Sequence, residues 1–265
     1  MLSDNGEIEA GQISYEPPHS FYRFSVQNIK YNSNDNKLTA NDLKMKLKVS
    51  EEVFLSSHEE QKEIYDIHFP NIELNNLDRL KLSRDKELHI SDIYLNHSKI
   101  RISLNRLLPE NTKSKMGRFP NQLLQKMKLP LDIRKITINN ASVTYTETSE
   151  KTNKQASIIF DKLNGNVTNI TNIPTYLETD NNCIARFNCK LNGNTDVSTI
   201  FNLSLTDKQG AFAMNMDIAG LQGRQLTQQT KAFALLEVRA LNMKNMTMEL
   251  TGNELSAKSN FVMLY

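Results

Sequence analysis

Alternation of apolar and polar residues with a period of two runs through most of this chain, and it restricts the possible folds more than any other feature. A β-strand turns successive side chains to opposite sides, so such a stretch is stable only with one face shielded and the other wet. Leu43, Met45, Leu47 and Val49 interleave with Lys44, Lys46 and Lys48, which puts every lysine on one side. The same pattern marks strands at Ile72/Leu74, Leu88/Ile90, Ile100/Ile102/Leu104, Ile136/Ile138, Val143/Tyr145 and Ile158/Phe160. It continues at Phe187/Cys189/Leu191, Leu203/Leu205, Phe212 to Ile218, Met246/Met248/Leu250 and Leu255/Ala257. Ile8 and Ala10, then Ile13 and Tyr15 after a shift of phase, place the start of the chain inside a sheet. Many short one-sided strands predict a mainly β protein dominated by antiparallel sheet.

Two stretches break the period. Leu123, Leu124 and Met127 fit a helical face between Pro120 and Pro130, which predicts a short helix over 121–129. Thr227 to Val238 reads as a second helix with an apolar side and Thr227 as its N-cap. Ser50 to Lys62 is a polar excursion or a helical turn, and Thr146 to Gln155 a solvated loop. The proline-bounded helix divides the chain into a β-rich half, 1–130, and a second β region, 131–265. Turns fall largely to asparagine, aspartate and serine, because 31 Asn stand against 9 Gly and 7 Pro. Lys162-Leu-Asn-Gly-Asn166 recurs at 190–194, with a looser copy at Leu250-Thr-Gly-Asn253. This reads either as a two-strand unit repeating every 28 residues, each Gly at or near a strand end, or as coincidence in an Asn-rich chain.

Composition then excludes whole classes. The apolar share, 38%, lies below the ~45–50% of ordinary globular domains, which argues against a thick two-sided core. Lys and Arg number 32 against 30 acids, without the positive excess that nucleic-acid binding requires. No run of ~18 apolar residues is present, and no basic-then-apolar leader opens the chain, which reads as a fragment or trimmed form. Cys183 and Cys189 on one strand would stand ~20 Å apart, too far to pair. The five histidines form no HExxH or HxH pattern, and no GxSxG, P-loop or GxGxxG turn occurs. No cofactor or metal is implied. A hydrolytic carboxylate pair on a strand face stays open as a minor reading.

The informative residues are apolar. Six of ten methionines fall in the last 52 residues, and Met214, Met216, Met246 and Met248 alternate with polar neighbours. Methionine is flexible and polarizable, so a surface lined by it adapts to irregular apolar partners such as acyl chains, although an ordinary core is the plainer explanation.

Leu131-Asp-Ile-Arg-Lys-Ile-Thr-Ile-Asn-Asn-Ala-Ser-Val-Thr-Tyr145, followed by Ile158-Ile-Phe-Asp-Lys-Leu-Asn-Gly165, resembles the recurring strand unit of AsmA-like proteins, relatives of the TamB group of Gram-negative bacteria. Gly210 to Gly220, Leu226 to Val238 and Met246 to Tyr265 are similar to that family's C-terminal region. The resemblance implies a long curved sheet, an open groove or taco-like trough, in the periplasm. It also implies an inner-membrane anchor outside this chain and a non-enzymatic role in lipid transport or outer-membrane assembly. The implied partners are phospholipid acyl chains and inner- or outer-membrane assembly proteins. The groove candidates are Phe187, Leu191, Leu203, Leu205, Phe212, Met214, Met216, Ile218, Met246, Met248 and Leu250. The alternative is an extracellular adhesion or glycan-binding module, against which the absence of tryptophan speaks.

Overall fold

In the computed structural model, residues 6–111, 116–223, 232 and 242–265 are described. They form one mixed sheet of thirteen strands. The first half contributes β1 (Glu7–Tyr15), β2 (Tyr22–Asn32), β3 (Lys37–Leu47), β4 (Ile64–Asn75), β5 (Leu88–Asn96) and β6 (Lys99–Asn105). The second contributes β7 (Leu131–Thr148), β8 (Gln155–Thr171), β9 (Asn182–Leu191), β10 (Thr195–Ser204), β11 (Phe212–Gln222), β12 (Asn242–Gly252) and β13 (Ala257–Leu264). Apart from β5 and β6, neighbours in sequence are neighbours in the sheet, and β1 and β13 are its two edges. Four short helices lie in the connections among the described residues: α1 (Glu51–Ser56), α2 (Arg79–Arg84), α3 (Pro120–Lys126) and α4 (Pro174–Leu177).

The sheet is not wholly antiparallel. Strands β5 and β6 act as one interrupted strand: β4 pairs with both antiparallel, and β7 pairs with both in parallel. The cause is the connection over 106–130, which returns the chain to the rim where β5 began. These ladders join 1–130 and 131–265 in a single sheet. All odd-numbered long strands therefore start at one rim, called here the starting rim, and α2, α3 and α4 lie in connections there.

The expected helix over 121–129 is shorter, ending at Lys126. Pro120 occupies its first turn, and Gln122 Oε1 accepts the Phe119 N–H at 3.1 Å. Helix α1 settles the Ser50 region, with the Ser50 hydroxyl accepting the Val53 N–H. Helices α2 and α4, and strand β2, carry too little period to stand out in the sequence. The helix expected at 227–238 lies outside the described residues, apart from Ala232. The repeated pentapeptide does not mark equivalent positions. Asn192 and Gly193, both at positive φ, turn β9 into β10, whereas the earlier copy lies inside β8. Gly165 there is required by closeness: a Cβ would stand 2.1 Å from the Arg186 carbonyl oxygen and 2.5 Å from Phe187 Cδ1.

A line of irregular positions crosses the first eight strands at one level. Asn28, Asp42, His97, Asn140 and Lys162 all take left-handed backbone, and the β2–β3, β7–β8 and β8–β9 registers slip beside them. Asparagine and aspartate adopt this conformation more readily than other side-chain-bearing residues. Next to this line runs a ladder of directly opposed amides, Gln12, Gln27, Asn41, Asn71, Asn96 and Asn139. Asn139 donates to Asn96 Oδ1 at 2.8 Å. Each bulge adds one residue to its strand, so the apolar set changes from even to odd numbers, or the reverse, without leaving its face. In β3 the set passes from Leu38 and Ala40 to Leu43 and Met45. In β7 it passes from Ile136 and Ile138 to Ala141 and Val143, which makes one long strand of the two expected there.

Candidate functional site: the apolar face of the sheet

Directly opposed residues on neighbouring strands share a face, so the registers trace what each face presents. One row runs Ile8, Tyr31, Leu38, Leu74, Ile93 and Ile136 across the first half. It continues as Val167, Ala185, Phe201, Met214 and Leu250, ending at Ser259 on β13. A parallel row runs from Ala40 through Ile72, Leu95, Ile138, Gly165 and Phe187 to Thr199, Met216, Met248 and Phe261. Beyond the bulge line a third runs Tyr15, Phe24, Met45, Ile67, Ile100, Val143, Phe160 and Leu191, ending at Thr195. At ~4.8 Å between strands, a row across twelve strands is about 50 Å long.

The opposite face is polar. Its row through Glu9, Lys30, Thr39, Glu73, Tyr94, Thr137, Asn166, Arg186, Ile200, Asn215, Glu249 and Asn260 contains one aromatic and one aliphatic side chain, Tyr94 and Ile200. Ion pairs join neighbouring strands there, including Lys30–Glu9 at 2.6 Å, Lys37–Glu73 at 2.9 Å and Lys190–Asp196 at 2.7 Å. These exposed pairs add little stability individually. They keep the face wet and fix which side is apolar.

All eleven sequence-derived candidates fall on or in line with the apolar face. Phe187 and Leu191 lie on β9, Leu203 on β10, Phe212, Met214, Met216 and Ile218 on β11, and Met246, Met248 and Leu250 on β12. Leu205 lies past the end of β10 and is 1% exposed, and Met214 is 7% exposed, so these two are packed inside the protein. The other nine are partly exposed. Strands β1 to β8 contribute as much of the surface, and the candidate set missed them. The signal was present in the alternation, hidden by the phase shift at each bulge.

The described parts of the connection between β6 and β7, 106–111 and 116–130, touch this face and its rims. At the far rim Arg106 pairs with Glu147 at 2.5 Å, and the Pro109 carbonyl accepts the Gln61 N–H. At the starting rim α3 rests on the β10–β11 turn: Asn121 Nδ2 donates to the Ser204 carbonyl at 2.8 Å, and Gln122 donates to Glu254 and the Lys208 carbonyl. Between these points Arg118 lines a cavity of about 350 Å³ with Leu104 and Tyr145. The Phe119 ring meets Phe212 edge-on, centroids 5.7 Å apart. Burial and the bond to Glu147 push the Tyr145 phenol up to about 12.

A cluster of titratable groups sits at the starting rim, where His89 is 8% exposed. Its Nε2 lies 2.8 Å from Glu87 and its Nδ1 3.8 Å from Asp132, with the Tyr176 ring edge-on. The imidazole beside Glu87 lowers that carboxyl, while burial raises Asp132. Lys81, Asp78 and Arg134 line a 200 Å³ cavity here with His89, Asp132 and Tyr176. The arrangement joins α2, β5, β7 and α4. Among the described residues, no group of three His, Cys, Asp or Glu is placed to hold a metal ion. Cys183 and Cys189 are buried, unpaired thiols on β9.

No family model matches the chain, and no curated protein matches it.

Proposed function

We propose that this chain is part of a non-enzymatic, AsmA-like envelope protein that binds or conducts lipids along the apolar face of its sheet, or assists outer-membrane assembly through it. The observation that carries the reading is the set of apolar rows that cross the sheet and stay partly open. A monomeric soluble protein rarely leaves a contiguous apolar patch of more than a few hundred Å² without a partner for it. Each large aliphatic side chain left half-covered forgoes roughly 1 kcal/mol of burial, which an acyl chain laid along the row would recover. Methionine on β11 and β12 suits chains of differing length and unsaturation. Aligned bulges bend neighbouring strands at the same level, which favours a trough over a flat sheet.

Lipid moving along such a surface exchanges one apolar contact for another, so the process requires no bond chemistry. The sequence resemblance is what supports an envelope location facing the periplasm. The test is organic extraction of the purified protein followed by mass spectrometry. The reading expects stoichiometric phospholipid, lost when Met216→Glu and Met248→Glu place charges in the second row. A folded protein that carries no lipid and takes up none from vesicles would refute it.

A further inference from the structure

The two rims of the sheet differ. At the starting rim, Leu80 and Leu82 of α2, Leu123 of α3, and Met127 and Leu129 beyond it stand exposed. Leu255 in the β12–β13 turn is 61% exposed at the same rim. Bases are interleaved with these residues: Arg79, Lys81, Arg84 and Lys86 around the α2 leucines, Lys126 and Lys128 around Met127, with Lys81 also facing Glu87 and Lys86 and Lys126 donating to the Ser83 and Gly117 carbonyls. Several acids of this rim are held by inward bonds. Asp78 accepts from the Lys81 N–H, Glu87 from His89, Asp207 from the Ala211 N–H and Glu254 from Gly117 and Gln122. Asp85 beside α2, Glu178 and Asp180 at and after the end of α4, and Asp35 in the β2–β3 turn are exposed acids at the same rim. At the far rim the exposed Val53 lies beside Glu51 and Glu52 in the first turn of α1, while the exposed Val49 and Leu107 follow Lys48 and Arg106.

We infer that the starting rim docks on an anionic phospholipid bilayer, with the leucines and methionine of α2 and the α3 segment entering the interface and the adjoining Lys and Arg facing the headgroups. Apolar residues in a basic surround are the chemistry that anionic membrane surfaces select, since burial of the former and attraction of the latter add. A neutral protein partner would gain nothing from the bases that flank these apolar residues. The inference rests on the lipid-binding reading for its purpose: a rim seated on a bilayer gives acyl chains a short route onto the rows. It does not rest on that reading for its test.

The test is flotation of the purified chain with vesicles of phosphatidylcholine containing phosphatidylglycerol, against phosphatidylcholine alone, over a salt series. The expected result is binding to the anionic vesicles, weakened by salt. Leu123→Asp with Met127→Asp, and separately Leu80→Asp with Leu82→Asp, should each weaken it about tenfold or more, the cost of losing a leucine-sized burial. These residues are exposed, so circular dichroism and melting should stay unchanged. Lys126→Glu with Lys128→Glu supplies an arm that leaves the apolar residues intact and should also weaken binding. Absence of binding, equal binding to both vesicle types, or full binding by all three variants would overturn the inference. Co-purified lipid should persist in the rim variants and disappear in Met216→Glu with Met248→Glu, so failure at the rim and failure at the apolar face are separate results.

Discussion

Gly165→Ala is expected to destabilise this protein far more than a single methyl group ordinarily would. Gly165 faces Phe187 across the β8–β9 ladder, and an added Cβ would stand 2.1 Å from the Arg186 carbonyl oxygen, 2.5 Å from Phe187 Cδ1 and 3.0 Å from Phe187 Cα. The ring can rotate away, but the carbonyl and Cα belong to the backbone. Relieving the contact requires the strands to part by roughly 1 Å, which stretches N–H···O bonds beyond their working range of ~2.7–3.2 Å. Overpacking costs about 1–3 kcal/mol, and one or two weakened ladder bonds add about 1 kcal/mol each, so the total is about 3 kcal/mol. That is a large fraction of a typical domain's stability. Urea unfolding followed by far-ultraviolet circular dichroism measures it. Phe187→Ala in the Gly165→Ala background should recover less than half the loss, because the carbonyl contact remains. A Gly165→Ala protein within about 0.5 kcal/mol of the parent, or full rescue by Phe187→Ala, would refute the reasoning.

Burial raises both cysteine thiols, Cys183 to about 11, so neither should react with a thiol reagent at pH 8 in the folded protein, and both should react in urea. Tyr145 is raised to about 12, so its neutral form stabilises the fold fully below its unfolded value near 10, and that contribution is lost as pH rises through about 12. An ultraviolet phenolate titration should find one more tyrosine protonated at pH 11 in the parent than in Tyr145→Phe. Asn121→Ala removes the donor to the Ser204 and Ala211 carbonyls at a side chain that is almost wholly buried, and should cost about 1–3 kcal/mol in urea unfolding. An unchanged midpoint would mean that α3 does not seat on the β10–β11 turn.

Strands β9 to β12 were legible because they alternate without interruption. A reader counting every second residue from Phe187 to Leu191 or Phe212 to Ile218 stays on one face. Strands β1 to β8 were harder, because the left-handed positions Asn28, Asp42, His97, Asn140 and Lys162 change the count midway. Pattern reading takes such a slip as the end of one strand and the start of another, as it did between Ile138 and Val143. The abundance of asparagine was visible, and its use in turns was half of its meaning. The other half is left-handed backbone and an amide ladder inside strands, which arise from register across the sheet and have no signature within one segment. The parallel pairing of β7 was equally hidden, since it depends on where the 106–130 connection lands.

The central claim is that the apolar face exists to hold acyl chains, and lipid content measures it most directly. Protein purified without detergent, extracted and weighed by mass spectrometry, should yield phospholipid in fixed ratio to chain, and the ratio should collapse in Met216→Glu with Met248→Glu while the fold is retained. A parent protein that is folded and lipid-free, and that remains so after incubation with labelled vesicles, would contradict the account.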